Sequence, residues 1–182
     1  MIKREARKPK GIVQPKPILS EAATLLLHTL CIDAEVFEFG SGGSTLWLAG
    51  FTKRLVSIED DADWYKAVKA ELLKQGTAAD VWFVPTVKLP DAIDGSGKWD
   101  VVFVDCLTSL ERKRSIIKGA LHVKPGGWLV ADDYNFLIVT ETIDELRQSG
   151  WDVALVSGVK MHPIRRILVS AITAFCQKPG NI

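Results

Sequence analysis

Cysteine is scarce in this 182-residue chain. Cys31, Cys106 and Cys176 are widely separated, odd in number and form no CxxC pair. Neither a disulfide framework nor a thiolate zinc site is indicated. Cys31 and Cys176 lie among apolar residues and are expected to be inert core thiols. Cys106 follows an aspartate and is expected to be partly exposed, with no histidine placed beside it to make it a nucleophile. Long hydrophobic runs are also missing: none approaches the roughly 18 residues of a transmembrane candidate. The basic N-terminus is not followed by an apolar signal core. These absences point to a cytoplasmic protein with no membrane segment. Repeats, low-complexity tracts and a second domain are absent too.

What remains is ordinary globular material, 47% hydrophobic and 25% charged, enough for one domain with a sizeable core. The net charge of +1 hides an asymmetry. Residues 1–16 carry Lys3, Arg4, Arg7, Lys8, Lys10 and Lys16 against Glu5, so this segment is +5 and the remainder −4. With Pro9, Pro15 and Pro17, residues 1–17 read as a flexible basic arm, either solvated or contacting an anionic partner. Residues 18–182 read as the single domain. An oligomer is compatible with this reading.

Glu38-Phe39-Gly40-Ser41-Gly42-Gly43-Ser44-Thr45 organises the domain. It follows a strand over about 34–39 and opens a helix ending near Gly50. Glycines let such a turn approach a ligand closely, and a helix start offers unpaired N–H groups. The turn also serves many folds simply as a strand-to-helix connection. Around it, Ser20 caps a helix over 21–31 that carries a lone His28, read as a surface or satisfied residue. Strands follow at 54–59, 80–84, 99–105 and 128–132. Helices are expected from Asp61 or Asp63 to Lys74, within 109–122 and over 137–149. The 85–99 loop has room for one short helix. Lys124-Pro125-Gly126-Gly127 forms a turn. Two final strands, about 151–157 and 165–175, pair as a hairpin around Lys160 and Pro163.

Alternating strands and helices predict a Rossmann-like, doubly wound α/β fold. Its seven-stranded sheet is mostly parallel, with helices on both faces and an antiparallel last strand. Ligands bind beyond the carboxyl ends of such strands. Glu38, Glu59, Asp105 and Asp132 all fall at those ends, where core packing does not call for acids. Glu59 lies about 20 residues after the glycine turn, a spacing that suits ribose hydroxyls.

From residue 34 to 175 the chain resembles the class I S-adenosylmethionine-dependent methyltransferases. The resemblance rests on Glu38-Phe39-Gly40-Ser41-Gly42, Glu59, Trp99-Asp100, Lys124-Pro125-Gly126-Gly127 and the antiparallel end. It implies S-adenosylmethionine as cofactor, held by Glu38, Gly40, Ser41, Gly42, Glu59, Asp60 and Asp105. The turn would hold the methionine part, Glu38 would engage its amino group, Glu59 the ribose, and the Val84-Pro85-Thr86 region the adenine. Two other readings stay open: an NAD(P)-dependent oxidoreductase, whose fingerprint wants a glycine where Thr45 stands, and a cofactor-binding module or partner subunit without catalysis.

The methyl acceptor is unspecified. Asp105-Cys106-Leu107-Thr108 replaces any Asn-Pro-Pro-Tyr-like motif, which disfavours base amino methylation of that type. Asp105 and Asp132-Asp133 resemble the magnesium-holding acids of catechol-type O-methyltransferases. That resemblance implies O-methylation of a small molecule, with Asp105 and Asp133 as catalytic residues and Asp105, Asp132 and Asp133 as Mg2+ ligands. The family's basic residue shortly after the strand-four aspartate is not matched. The competing reading is that these acids bond backbone and cap neighbouring helices. Three carboxylates so close are expected to raise at least one pKa.

Overall fold

The computed structural model describes residues 15–77, 79–106, 109–161 and 167–180. Most of the basic arm, Leu107-Thr108 and the turn between the last two strands therefore lie outside the described residues. Where the arm meets the domain, Pro17 is already buried.

The strands are β1 (Glu35–Phe39), β2 (Arg54–Glu59), β3 (Asp80–Phe83), β4 (Trp99–Val104), β5 (Val123–Ala131), β6 (Asp152–Met161) and β7 (Leu168–Gln177). They form one sheet in the order β3-β2-β1-β4-β5-β7-β6. β1 to β5 run parallel, and β7 is antiparallel to both neighbours. Among the described residues the sheet is flanked by α1 (Glu21–Cys31), α2 (Gly43–Leu48), α3 (Ala62–Gln75), α4 (Ser109–His122) and α5 (Leu137–Gln148). A 3-10 helix over Thr86–Ile93 occupies the loop after β3.

Period-two alternation divides the strands between two cores. Phe37, Phe39, Val102 and Val104 pack with Ile116 of α4 and Ile143 of α5. Val36, Val101 and Phe103 face the other way, onto Leu27 and Cys31 of α1. Leu46, Val68, Leu72 and Val81 form a smaller cluster beneath α3. The expected caps are present. The Ser20 hydroxyl accepts from Ala23 N, and the Asp61 carboxylate accepts from Asp63 N and Trp64 N. Gly76 ends α3 in the left-handed region. His28 packs edge-on against Phe51 at 4.5 Å, a satisfied aromatic contact.

Several boundaries move. β5 starts at Val123 and takes in the Pro-Gly-Gly residues, with a register irregularity against β4 between Trp99 and Val101. α2 is shorter than expected, ending at Leu48. β6 and β7 are ten residues each, so Lys160 belongs to β6 and not to the connection. Its backbone is held there by pairing with Val169. Cys106 is 3% exposed, not partly open: its Sγ lies 3.8 Å from the Ser115 hydroxyl, and burial pushes its pKa up to about 12. No helix among the described residues is long and apolar enough to cross a membrane.

Candidate active site

The carboxyl ends of β1, β2, β4 and β5 open onto one cleft of about 480 Å³. The glycine turn, Glu59 and Asp60, and Asp105 with Asp132 and Asp133 line it together. Lys16 and Lys160 reach the same cleft. Val84, Pro85 and Thr86 are not among its lining residues. Thr86 instead donates its hydroxyl to the Asp60 carboxylate.

Beneath the turn lies a buried hydroxyl network. Glu38 is 0% exposed, and its Oε2 accepts from Thr45 Oγ1 and Ser57 Oγ, each at 2.6 Å. Thr45 Oγ1 also accepts from Gly42 N at 2.8 Å, and Ser41 Oγ lies 2.8 Å from Ser57 Oγ. Glu38 thus supports the turn from below and does not line the cleft. Burial raises its pKa, opposed by the Ser44, Ser57 and Thr45 hydroxyls. Oε1 has no hydrogen bond of good geometry among the described residues. From α3, the Trp64 indole donates to Ser41 O at 2.7 Å and pins the turn from the cleft side.

Gly40 has φ +98°, where only glycine is comfortable. A Cβ there would also meet Asp105 O at 2.7 Å. The turn and the end of β4 are therefore packed directly together, bringing Asp105 to the glycines.

Glu59 is 4% exposed at the end of β2. Its Oε1 accepts from Asp60 N at 3.0 Å and Asp61 N at 2.9 Å, which fixes the carboxyl plane. Burial is the main reason its pKa is pushed up to about 7; those amides oppose the rise, while the Asp60 and Asp61 charges add to it. A carboxyl raised in this way favours the folded chain below its unfolded pKa. That contribution fades as pH rises through about 7, a swing on the order of 3 kcal/mol.

Asp105, Asp132 and Asp133 place one carboxylate oxygen each within 4.8 Å of one another, a grouping of metal-site dimensions. Their neighbours are cations from elsewhere. Arg112 of α4 is 5% exposed. Its Nη2 donates to Asp105 Oδ1 at 3.3 Å and Cys106 O at 2.6 Å. Its Nη1 donates to Asp133 Oδ2 at 3.0 Å and Asp132 O at 2.9 Å, and its Nε to Cys106 O at 3.0 Å. All five guanidinium donors are engaged. Lys160 of β6 donates to Asp132 Oδ2 and, at 2.8 Å, to Asp133 Oδ1. Thr173 donates to Asp132 Oδ1 at 3.0 Å. Burial opposes the Lys160 charge, but Asp132 and Asp133 outweigh it and raise its pKa. Asp105 is raised as well, first by removal from water, then by the Asp132 charge. Among the described residues these acids pair with side-chain cations.

Arg112, Lys160 and Trp64 were missed in the sequence. Arg112 follows Asp105 by seven residues, one turn into a helix, and that spacing was the signal available. Lys160 is 28 residues from Asp132, and no local pattern joins them.

No family model matches the chain, and no curated protein does. Solved structures do. A precorrin-6y C5,15-methyltransferase from Geobacter metallireducens aligns with a TM-score of 0.67 at 16% identity, over 94% of this chain and 95% of that one. An S-adenosylmethionine-dependent O-methyltransferase from Thermotoga maritima aligns at 0.65 and 18%, over 92% and 68%. A methyltransferase from Pyrococcus furiosus aligns at 0.68 and 15%, over 94% and 86%. Strand order, the antiparallel β7 and these alignments agree that this chain has the class I methyltransferase fold.

Proposed function

We propose that the protein is an S-adenosylmethionine-dependent methyltransferase that methylates an oxygen of a small molecule. The observation that carries this is a single cleft holding the glycine turn, the fixed Glu59 carboxyl and the Asp105 cluster in succession. Residues of the kind needed for the cofactor are present. Glu59 has Oε2 for ribose hydroxyls, because its Oε1 is taken by backbone amides. The turn, held by Thr45 and Trp64, sets the position of the methionine end. Gly40 packs on Asp105, so the reactive end of the cofactor would meet the acid cluster.

When bound, S-adenosylmethionine supplies an activated methyl group on a sulfonium. The chain's own task is to align that methyl with an acceptor and exclude water. A dinucleotide reading is less well supported. Thr45, which stands at the third glycine position, is fully buried and bonded to Glu38, so the backbone is not opened there for a pyrophosphate.

Calorimetry with S-adenosylmethionine and S-adenosylhomocysteine tests the reading. Both should bind, and Glu59→Ala should weaken binding by about 1.5–3 kcal/mol, the range for hydrogen bonds to charged groups. Tight binding of a nicotinamide dinucleotide with no binding of either sulfur ligand would overturn it. Turnover with labelled cofactor separates an enzyme from a non-catalytic binding module.

The Glu59 pKa supplies a second test. Ribose hydroxyls donate best to the ionised carboxylate. Cofactor affinity should therefore rise about tenfold per pH unit below 7 and level off above it. Glu59→Gln should flatten that profile. A wild-type profile that is flat from pH 5.5 to 8 would remove Glu59 from the ribose role.

A further inference from the structure

We infer that Lys160 takes the place of a divalent cation in this site, and that the acceptor is an acidic hydroxyl held between Lys160 and Asp105. The inference rests on the methyltransferase reading and adds to it the acceptor's chemistry and the group that holds it.

The donor set argues against a metal. A hard cation needs several carboxylate oxygens free to turn towards it. Here both oxygens of Asp132 are bonded, to Thr173 and Lys160. Both oxygens of Asp133 are bonded too, to Lys160 and Arg112. Asp105 Oδ1 is bonded to Arg112. Two fixed positive charges already lie against three acids, and a third cation would have to displace or face them. The magnesium expectation therefore does not fit these residues.

The two cations are not equivalent. Arg112 has no donor left to offer a ligand. Lys160 has three N–H groups, two of which hold Asp132 and Asp133. Among the described residues nothing takes the third, and Lys160 lines the cleft. The lysine is also well placed by its backbone. β6 pairs with β7 along its whole length, and Gly158 lies so close to α1 that a Cβ would meet Ser20 Cβ at 2.7 Å. The ammonium is thus a fixed hydrogen-bond donor at the end of the cleft where the methyl group would lie.

Charge decides the other half. Arg112 and Lys160 offset two of the three acids, which leaves one carboxylate uncompensated. That charge is shared over the cluster, and Asp105 offers the oxygen open to a ligand: its Oδ1 shares Arg112, and no described partner takes Oδ2. A hydroxyl donating to Asp105 Oδ2 and accepting from Lys160 has both its needs met. In the transfer, the acceptor oxygen forms a bond to the methyl carbon as the carbon–sulfur bond breaks. That electron pair stays on sulfur, and the hydroxyl proton passes to Asp105. A positive charge beside the oxygen favours its ionised form, so phenols and enols suit the site better than simple alcohols.

The test uses the full chain with S-adenosylhomocysteine bound and two probes. Manganese(II), followed by electron paramagnetic resonance, should not bind wild-type protein at micromolar concentration. Micromolar binding that Asp133→Asn abolishes would overturn the inference. The second probe is 4-nitrocatechol, whose visible band reports ionisation. Wild-type protein should bind it and raise the ionised fraction at fixed pH. Lys160→Met should weaken this binding at least tenfold, and Lys160→Arg should restore most of it. Equal binding by wild type and Lys160→Met, or none by wild type, would overturn the acceptor assignment. S-adenosylhomocysteine affinity is the control, and Lys160→Met should keep it. If wild-type protein itself fails to bind S-adenosylhomocysteine, the methyltransferase reading falls, separately from this inference.

Discussion

Replacing Arg112 by alanine is expected to destabilise the fold by about 3–5 kcal/mol, the cost of breaking a buried ion pair from one side. In a chain of this size that lowers the melting temperature by roughly 10–15 °C. The variant leaves Cys106 O and Asp132 O without their donors and leaves three acids facing Lys160 alone. Arg112→Lys should recover little. An ammonium has three donors on a point charge, whereas the site uses a planar fork with five. Denaturant unfolding decides the matter. A loss below about 1 kcal/mol, or full recovery by lysine, would mean that the guanidinium is not what ties α4 to β4 and β5. Should Arg112→Ala fail to fold at all, Asp133→Asn offers a milder cut through the same network.

Gly40→Ala is expected to cost about 2–4 kcal/mol in stability and to weaken cofactor binding at least tenfold. A left-handed residue without glycine carries about 1–2 kcal/mol of strain. The new methyl group would also press on Asp105 O, a backbone atom that cannot swing aside. Either response moves the turn or the end of β4, and both line the cleft. Gly42→Ala is the control. Its backbone is extended, and the nearest atom to a new Cβ is Trp64 Nε1 at 3.6 Å, an ordinary contact. Its stability should change by less than about 1 kcal/mol. Equal stability losses in the two variants would show that the close approach at Gly40 does not constrain the turn.

Much of this architecture was legible in the residues. β4 reads as a central strand because Val101-Val102-Phe103-Val104 are all apolar, and all four are buried. Ser20, Asp61 and Gly76 marked helix ends by local hydrogen bonding, which a sequence displays directly. Glu59, Asp105 and Asp132 were noticed because acids at strand ends have no packing role, and the structure brings them to one cleft. The partners of those acids were not legible. Arg112 and Lys160 owe their roles to long-range contacts, and a lysine in a strand of mixed polarity looks like any solvated one. Glu38 is legible as an acid beneath the turn, but its hydroxyl partners are not. Its environment is set by Thr45 and Ser57, which look like ordinary turn and strand residues until the sheet forms. The reach of β6 was underestimated because Gly158 and Lys160 read as loop residues. Pairing with β7 overrides that propensity.

The order of strands also sets an order of events. β6 is made before β7 but hydrogen-bonds to the sheet only through it. As the chain leaves the ribosome, all the strands from β1 to β5 are available to pair once Ala131 has emerged. Gly40, Glu59 and Asp105 can then take their places. Lys160 emerges later and has no sheet to join until Leu168–Gln177 has slotted in beside β5. The half of the cleft that faces the cofactor can thus mature first, and the half that faces the acceptor is finished only after β7 has been added. A nascent or truncated chain would hold its acids without their lysine, so the acceptor end of the site is completed only when the hairpin closes.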